Sequence, residues 1–171
     1  LEHQEVMKHG GKIYAEKGAK MNFQGPGPYD EIINKVAERN GVPVGIWKRM
    51  LNQESGIRVK NKKGEVITSS KGAKGIAQFM PGTAKMYGVD NILSSDKPED
   101  IEKVLDASAK HFAGLIKQNN NDVILAVASY NGPDSINWAK ESLGKKTITG
   151  DDWFKFMKDK RKNSPSDKKS A

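Results

Sequence analysis

Apolar residues recur with the 3.6-residue period of an α-helix for about five turns between Pro98 and Gln118, and this run limits most strongly what the chain can fold into. A wholly apolar segment, residues 123–128, follows after a predicted cap at Asp122. Because this segment has no polar face, it predicts a central helix that is buried all round. The two helices together predict a mainly α fold.

Shorter helices are predicted around this pair from their start and stop residues. Proline or aspartate opens each of them, with Asp30 predicted as the N-cap of the first, and glycine ends most of them. In the second of these helices and in the fourth, Trp47 and Trp138 are predicted to lie in the core rather than to serve as platforms for sugars. The predicted ranges are residues 30–41, 43–56, 81–87, 133–143 and 151–158.

Between Ile57 and Ser70, β-branched residues lie on both sides of the dipeptide Lys63-Gly64, which predicts a short, exposed and basic β-hairpin. A basic flap of this kind could shape a binding subsite or contact an anionic wall polymer. The alternative is a surface loop without a function, because long insertions cost little free energy.

The length of 171 residues and a hydrophobic content of 36% suit one domain with polar ends. Residues 1–28, which close with a Gly-Pro-Gly-Pro run, are predicted to be a poorly structured leader or linker. Residues 29–160 are predicted to form the domain, and residues 161–171 a basic, disordered tail. No apolar run approaches the ~20 residues of a membrane span, so no membrane insertion is expected.

The chain has no cysteine, which excludes disulfides and thiolate metal sites. Its histidines share no ligand spacing, so no metal site is predicted: they are His3, His9 and His111. The net charge of +8 favours an anionic partner such as nucleic acid, an acidic membrane surface or the polymers of a bacterial wall. No nucleic-acid-binding module is recognisable, so a nucleic-acid partner is not expected.

A glutamate continues the apolar face of the second predicted helix, residues 44–55. Trp47, Met50, Leu51 and Glu54 fall at i, i+3, i+4 and i+7, which is one side of a helix. Desolvation favours the protonated form of a carboxyl group, so a glutamate in this position can act as an acid near neutral pH. Taken alone, Glu54 fits better as a helix-end residue that reaches solvent or a basic partner, because charged residues are almost never fully buried without a partner.

Three short motifs follow one another along the chain. They are Glu54-Ser55 at a predicted helix end, Gly-Ile-Ala-Gln-Phe-Met-Pro-Gly-Thr-Ala at residues 75–84, and Ala-Ser-Tyr-Asn-Gly at residues 128–132. Each is common by itself, but their co-occurrence in this order resembles the soluble lytic transglycosylase domain. The resemblance covers roughly Tyr29 to Leu143. It implies a lysozyme-like α-helical domain, here with a small β-hairpin insertion, that cleaves the glycan strands of bacterial peptidoglycan.

The resemblance implies a role for each residue that matches a family motif. Glu54 corresponds to the single catalytic acid, and Tyr130 to a tyrosine beside it. No cofactor is implied. The residues that correspond to substrate contacts are Ser55, Ser69, Gln78, Met80 and Asn131.

The reaction that the resemblance implies breaks the β-1,4 bond between N-acetylmuramic acid and N-acetylglucosamine and leaves a 1,6-anhydro end, with Glu54 acting first as acid and then as base. One sequence observation agrees with a single-acid reaction, since the only acid between Glu54 and Asp90 is Glu65. Two alternatives also fit the sequence. One is a goose-type lysozyme-like hydrolase, and the other is a non-catalytic wall-binding or structural module of a phage virion or secretion apparatus.

The expected place of action is the periplasm or cell wall. The N-terminal residues lack the apolar region of a signal peptide, and together with the basic ends this favours a phage-borne or apparatus-delivered domain. As an isolated domain, the chain is expected to be a monomer.

Overall fold

A computed structural model of the protein describes residues 27–162, and these residues are mainly helical, which confirms the predicted fold class. The described residues fall into two compact units, residues 27–113 and residues 114–162. The predicted leader and tail lie almost wholly outside the described residues. The helices are α1 (Asp30–Asn40), α2 (Val44–Ser55), α3 (Pro81–Met86), α4 (Pro98–Gln118), α5 (Val123–Asn131), α6 (Asp134–Leu143) and α7 (Gly150–Lys162).

The bounds of α2 follow from the residues at its two ends. Pro43 precedes the helix in an extended conformation, and Gly56 follows it with a φ of 65°, a left-handed conformation that glycine adopts without strain. The N–H of Gly56 donates to the carbonyl of Asn52 at 2.8 Å and so closes the last turn. Glu54 therefore lies in the final turn of the helix, as predicted.

Asp30 lies inside α1, whereas the sequence predicted it as the N-cap. Its carboxylate accepts a hydrogen bond from the N–H of Gly27 at 2.9 Å and pairs with Lys48 of α2 at 2.7 Å. The ammonium of Lys48 lowers the pKa of Asp30, and the N–H of Gly27 acts in the same direction. The aspartate thus links α1 to α2 instead of capping its own helix.

The first unit is built from α1, α2, α3 and most of α4. Trp47 is fully buried, and its indole N–H donates to the hydroxyl of Ser108 at 3.1 Å, which ties α2 to α4.

Arg39 of α1 pairs with Asp106 of α4 at 2.8 Å. Burial alone would raise the pKa of Asp106, but hydrogen bonds from Lys110, Asn40 and Arg39 lower it to about 2.

The second unit is formed by α5, α6 and α7, which pack on one another. Asp122 caps α5 through the N–H of Leu125 and also accepts from the N–H of Gly150 at 2.7 Å, where α7 begins. Residues 125–128 are buried, but Val123 and Ile124 are half-buried. The first turn of α5 is thus only partly buried, whereas the sequence predicts a helix that is buried all round.

Trp138 of α6 is 44% exposed, so its predicted place in the core is wrong. Ile136 and Ala139 are the buried residues of α6, and Trp138 points away from Ile136 because the two lie two residues apart on a helix. Its ring packs edge-on against Phe156 of α7, with 4.9 Å between the ring centroids. The ammonium of Lys160 lies 4.7 Å from the centroid of the tryptophan ring.

The segment between α2 and α3 contains isolated antiparallel bridges, and the predicted hairpin is not confirmed as a pair of strands. Lys60 pairs with Val66, Thr68 with Lys74, and Lys74 with Phe79. Turns at residues 62–63, 70–71 and 75–78 separate the paired residues. Among residues 27–162, no helix is both long enough and apolar enough to cross a membrane.

Candidate functional site

Glu54 is half-buried in the last turn of α2, next to the helix end. Trp47, Met50 and Leu51, the residues predicted to share its face, are all buried. Glu54 therefore lies where a buried apolar face reaches the surface. A glutamate in this position is both partly desolvated and accessible, which suits a group that exchanges protons with a ligand.

Ser55, the next residue, is only 5% exposed, and its hydroxyl bonds within the protein. It donates to the carbonyl of Ile76 at 2.7 Å and to that of Leu51 at 3.2 Å, and it accepts from the N–H of Arg58 at 3.4 Å. A hydroxyl has one proton to donate, and the two carbonyls share it. Ser55 thus fixes the end of α2 against the chain at Ile76.

Ile76, which accepts the hydrogen bond of Ser55, belongs to a turn at residues 75–78. Gln78 has a φ of 49°, unusual for a residue with a side chain. Its side-chain amide donates to the carbonyls of Ile67 and Gly75, at 3.0 and 2.9 Å. These two bonds hold the turn closed and use the amide's N–H groups, which leaves its carbonyl oxygen as the group available to a ligand.

Gly75 occupies the tightest place in this turn. Its φ is 76°, and a Cβ added to it would lie 2.4 Å from the backbone carbonyl oxygen of Leu93. The chain at Leu93 therefore packs directly against the backbone of the turn. Only glycine combines this conformation with so close an approach.

Met80 follows the turn, and 44% of its surface is exposed, which fits the predicted apolar contact with a ligand. Its neighbour Phe79 is buried and stacks on Tyr87 with 6.1 Å between the ring centroids. The ring of His111 meets both aromatic rings edge-on. Burial lowers the pKa of His111, so the cluster favours the neutral imidazole.

Ser69 lies on the exposed side of the same segment, where it closes a turn. Its hydroxyl accepts from the N–H of Ala73 at 3.0 Å, and its own N–H donates to the carbonyl of Ala73 at 2.8 Å. The hydroxyl proton of Ser69 is not used in this turn.

Tyr130 and Asn131 belong to the second unit, where they form the last turn of α5 and are half-buried. The side-chain amide of Asn131 donates to the carbonyl of Val127 at 2.9 Å. Gly132 then ends the helix as predicted. The remaining five predicted site residues belong to the first unit, where hydrogen bonds connect Ser55 to Ile76 and Gln78 to Gly75.

The residues that hold these site residues in place could not be predicted from the sequence. The carbonyls of Ile67 and Ile76 accept the hydrogen bonds of Gln78 and Ser55, and a carbonyl has no signature in a sequence. The close contact between the backbones of Leu93 and Gly75 is indicated in the sequence only by the glycine at position 75. Within the described part of the chain, no group of three histidine, aspartate or glutamate side chains could hold a metal ion, while His3 and His9 lie outside it.

Comparison with known proteins gives two matches. The family model of the transglycosylase SLT domain matches residues 31–150. The peptidoglycan transglycosylase gp16 of Escherichia phage T7 is 31% identical over 110 residues, which are 62% of this chain and 8% of that protein. The chain thus spans a small part of the length of this relative. No solved structure matches the chain significantly.

Proposed function

The chain belongs to the transglycosylase SLT domain family, and from this premise we propose that it is a peptidoglycan lytic transglycosylase with Glu54 as its catalytic residue. The observation that carries the proposal is the position of Glu54. Glu54 is half-buried at the end of a helix face whose other residues are buried. It also precedes the other two family motifs along the chain, in the order that is typical of the family. The proposed reaction needs no cofactor.

In the proposed reaction, protonated Glu54 gives its proton to the glycosidic oxygen between N-acetylmuramic acid and N-acetylglucosamine, and the bond to C1 breaks. The substrate's own N-acetyl group supports the positive charge that develops at C1. The Glu54 carboxylate then takes the proton of the C6 hydroxyl, whose oxygen attacks C1 and closes a 1,6-anhydro ring. The glutamate ends protonated as it began, and no water is consumed.

The scarcity of acids after Glu54 in the sequence agrees with this one-acid reaction. Most glycosidases place a second carboxylate across the scissile bond. Glu65 is the only other acid between Glu54 and Asp90, and its carboxylate accepts a hydrogen bond at 2.8 Å from the side chain of Asn61, in its own turn. This bond supports a structural role for Glu65 in the loop.

The proposed substrate contacts use the groups that remain available after internal bonding. Met80 offers an apolar surface to a sugar ring, while the carbonyl oxygen of Gln78 accepts hydrogen bonds and the hydroxyl of Ser69 donates one. Tyr130 and Asn131 are included among the proposed site residues on the match to the family motif alone. The internal bonds of Ser55 favour a positioning role for it over direct substrate contact.

The masses of the products released from purified peptidoglycan sacculi test the proposal. A lytic transglycosylase releases muropeptides with 1,6-anhydro ends, which are lighter by one water than the products of hydrolysis. Anhydro products are the expected result. Hydrated reducing ends would identify a hydrolase of the same bond, and the absence of any product would identify a wall-binding module without activity.

Replacing Ser55 by alanine tests its positioning role. The change removes the buried hydrogen bond to Ile76 and is expected to cost about 1–2 kcal/mol of stability and to lower kcat more than it raises KM. Ser142→Ala is a matched control, because Ser142 is exposed on α6. Thermal unfolding and steady-state kinetics on soluble glycan strands measure the two effects. A rise in KM with unchanged kcat and stability would instead show direct substrate contact.

The proposed place of action is the bacterial cell wall or the periplasm, where peptidoglycan lies. The phage relative supports a phage-borne origin, in which the domain reaches the wall with a virion. The positive net charge agrees with an anionic polymer as the partner.

A further inference from the structure

We propose that residues 57–74, called here the basic loop, bind the carboxylates of the peptide stems that peptidoglycan carries beside the scissile bond. The inference rests on the proposed function, because it adds a second contact to the same substrate. It would make the enzyme select strands that carry peptides over bare glycan.

The basic loop has a large and mostly uncompensated positive charge. Lys60 is paired with Asp96 at 2.8 Å, and within residues 27–162 no ion pair involves any of the other cations of the loop. Glu65, the only acid of the loop, is bonded to Asn61. Exposed charges of one sign create a potential that attracts anions. The cations that remain are Arg58, Lys62, Lys63, Lys71 and Lys74, and all five are exposed.

The tip of the loop is ordered, although it contains no strand. The side-chain oxygen of Asn61 accepts from the N–H groups of Lys63 and Glu65, at 2.9 and 3.0 Å. The backbone N–H of Asn61 donates to the carbonyl of Glu65 at 2.8 Å, which closes the same turn. An ordered tip presents its lysines at a lower entropic cost of binding than a flexible one.

The base of the loop is continuous with the turn at residues 75–78, which carries Gln78 and is followed by Met80. Val59 is buried, and its carbonyl accepts from the N–H of Ile67 at 2.9 Å. The carbonyl of Ile67 accepts in turn from the side chain of Gln78 and from the N–H of Gly75. The loop and the sugar contacts are thus parts of one hydrogen-bonded segment of the first unit.

The chemistry of the substrate determines which anion fits this surface. The peptide stems of peptidoglycan carry free carboxylates and are attached to the N-acetylmuramic acid whose bond is cut. An anion bound beside Gln78 and Met80 is therefore expected to belong to the same strand as the bound sugars. Lysine ammonium groups pair with such carboxylates by charge, without a strict geometry.

A binding experiment with a fourfold variant tests the proposal. Lys62, Lys63, Lys71 and Lys74 are each changed to glutamine in the Glu54→Gln background, so that no strand is cut during the measurement. The matched control changes four exposed lysines outside the loop to glutamine, and these are Lys103, Lys117, Lys146 and Lys155. Binding is measured to soluble strands that carry stem peptides and to strands freed of them by an amidase.

The loop variant is expected to bind peptide-bearing strands about tenfold more weakly than the control does at low salt. The difference should shrink as salt screens the charges, and both variants should bind peptide-free strands equally. Equal binding of the two variants to peptide-bearing strands would overturn the proposal. An equal loss on both kinds of strand would also overturn it, because the loop would then bind another anionic group.

These outcomes are separate from those of the proposed reaction. Binding is read in a background without the catalytic acid, so it does not depend on turnover. If the proposed function fails, the unaltered protein gives no anhydro products from either kind of strand. If the basic loop has no role, the unaltered protein still gives these products, and the loop variant and the control bind peptide-bearing strands equally.

Discussion

Replacement of Glu54 by glutamine is expected to lower the rate of glycan cleavage by about 10³-fold while the protein stays folded. Glutamine has nearly the shape of glutamate but cannot give a proton to the glycosidic oxygen or take one from the C6 hydroxyl. Both steps of the proposed reaction use this one group. The loss should therefore appear in kcat rather than in KM.

The measurement is the release of soluble muropeptides from sacculi, combined with thermal unfolding of the same samples. Glu38→Gln makes the same chemical change at an exposed position of α1 and is expected to leave the rate unchanged. Equal rates for Glu54→Gln and the unaltered protein would assign the cleavage to another group. A large loss of thermal stability in Glu54→Gln would assign the lost activity to unfolding.

The helices could be predicted from the sequence because their signals are local. The bounds of α4, Pro98 and Gln118, follow from a proline start and an uninterrupted apolar period, both visible in the chain itself. The end of α2 at Gly56 follows from the conformational preference of glycine. Such features need no knowledge of which other segment the helix packs against.

The errors in the fold came from tertiary contacts. Trp138 was assigned to the core because tryptophan is apolar, but burial depends on which sides of α6 are covered, and this residue faces away from the buried Ile136. Asp30 pairs with Lys48 of the next helix, and a capping rule cannot anticipate such a partner. The predicted hairpin is not confirmed, since Lys60 and Val66 on either side of Lys63-Gly64 form an isolated antiparallel bridge and not a ladder of strands.

The same distinction between local patterns and tertiary contacts holds for the candidate site. Glu54 could be singled out because a helical period places it on the face of Trp47, Met50 and Leu51. The internal bonds of Ser55 and Gln78 could not be predicted, because their acceptors are backbone carbonyls at Ile76 and Ile67. The family motifs indicate which side chains correspond to site residues of the family. The structure shows which atoms of those side chains already form hydrogen bonds within the protein.

Gly75→Ala is expected to be among the most destabilising single changes in this segment, at about 3 kcal/mol. Alanine is strained in this positive-φ conformation. Its methyl group would also clash with the carbonyl oxygen of Leu93, a backbone atom that cannot rotate away as a side chain can. Gly72→Ala separates the two effects. Gly72 has a φ of 89° with no other atom within 4 Å of an added Cβ, so this variant has the backbone strain alone, about 1 kcal/mol.

Thermal unfolding measures the difference, which corresponds to a Tm about 4–8 °C lower for Gly75→Ala than for Gly72→Ala. Equal losses would mean that the chain at Leu93 moves away at little cost and that the turn is not held by this contact. Because Gly75 also accepts a hydrogen bond from the side chain of Gln78, a displaced turn should shift the neighbouring Ile76 carbonyl that fixes Ser55. The kcat of Gly75→Ala is therefore expected to fall even at temperatures where the protein remains folded, since the end of α2 that carries Glu54 loses its support.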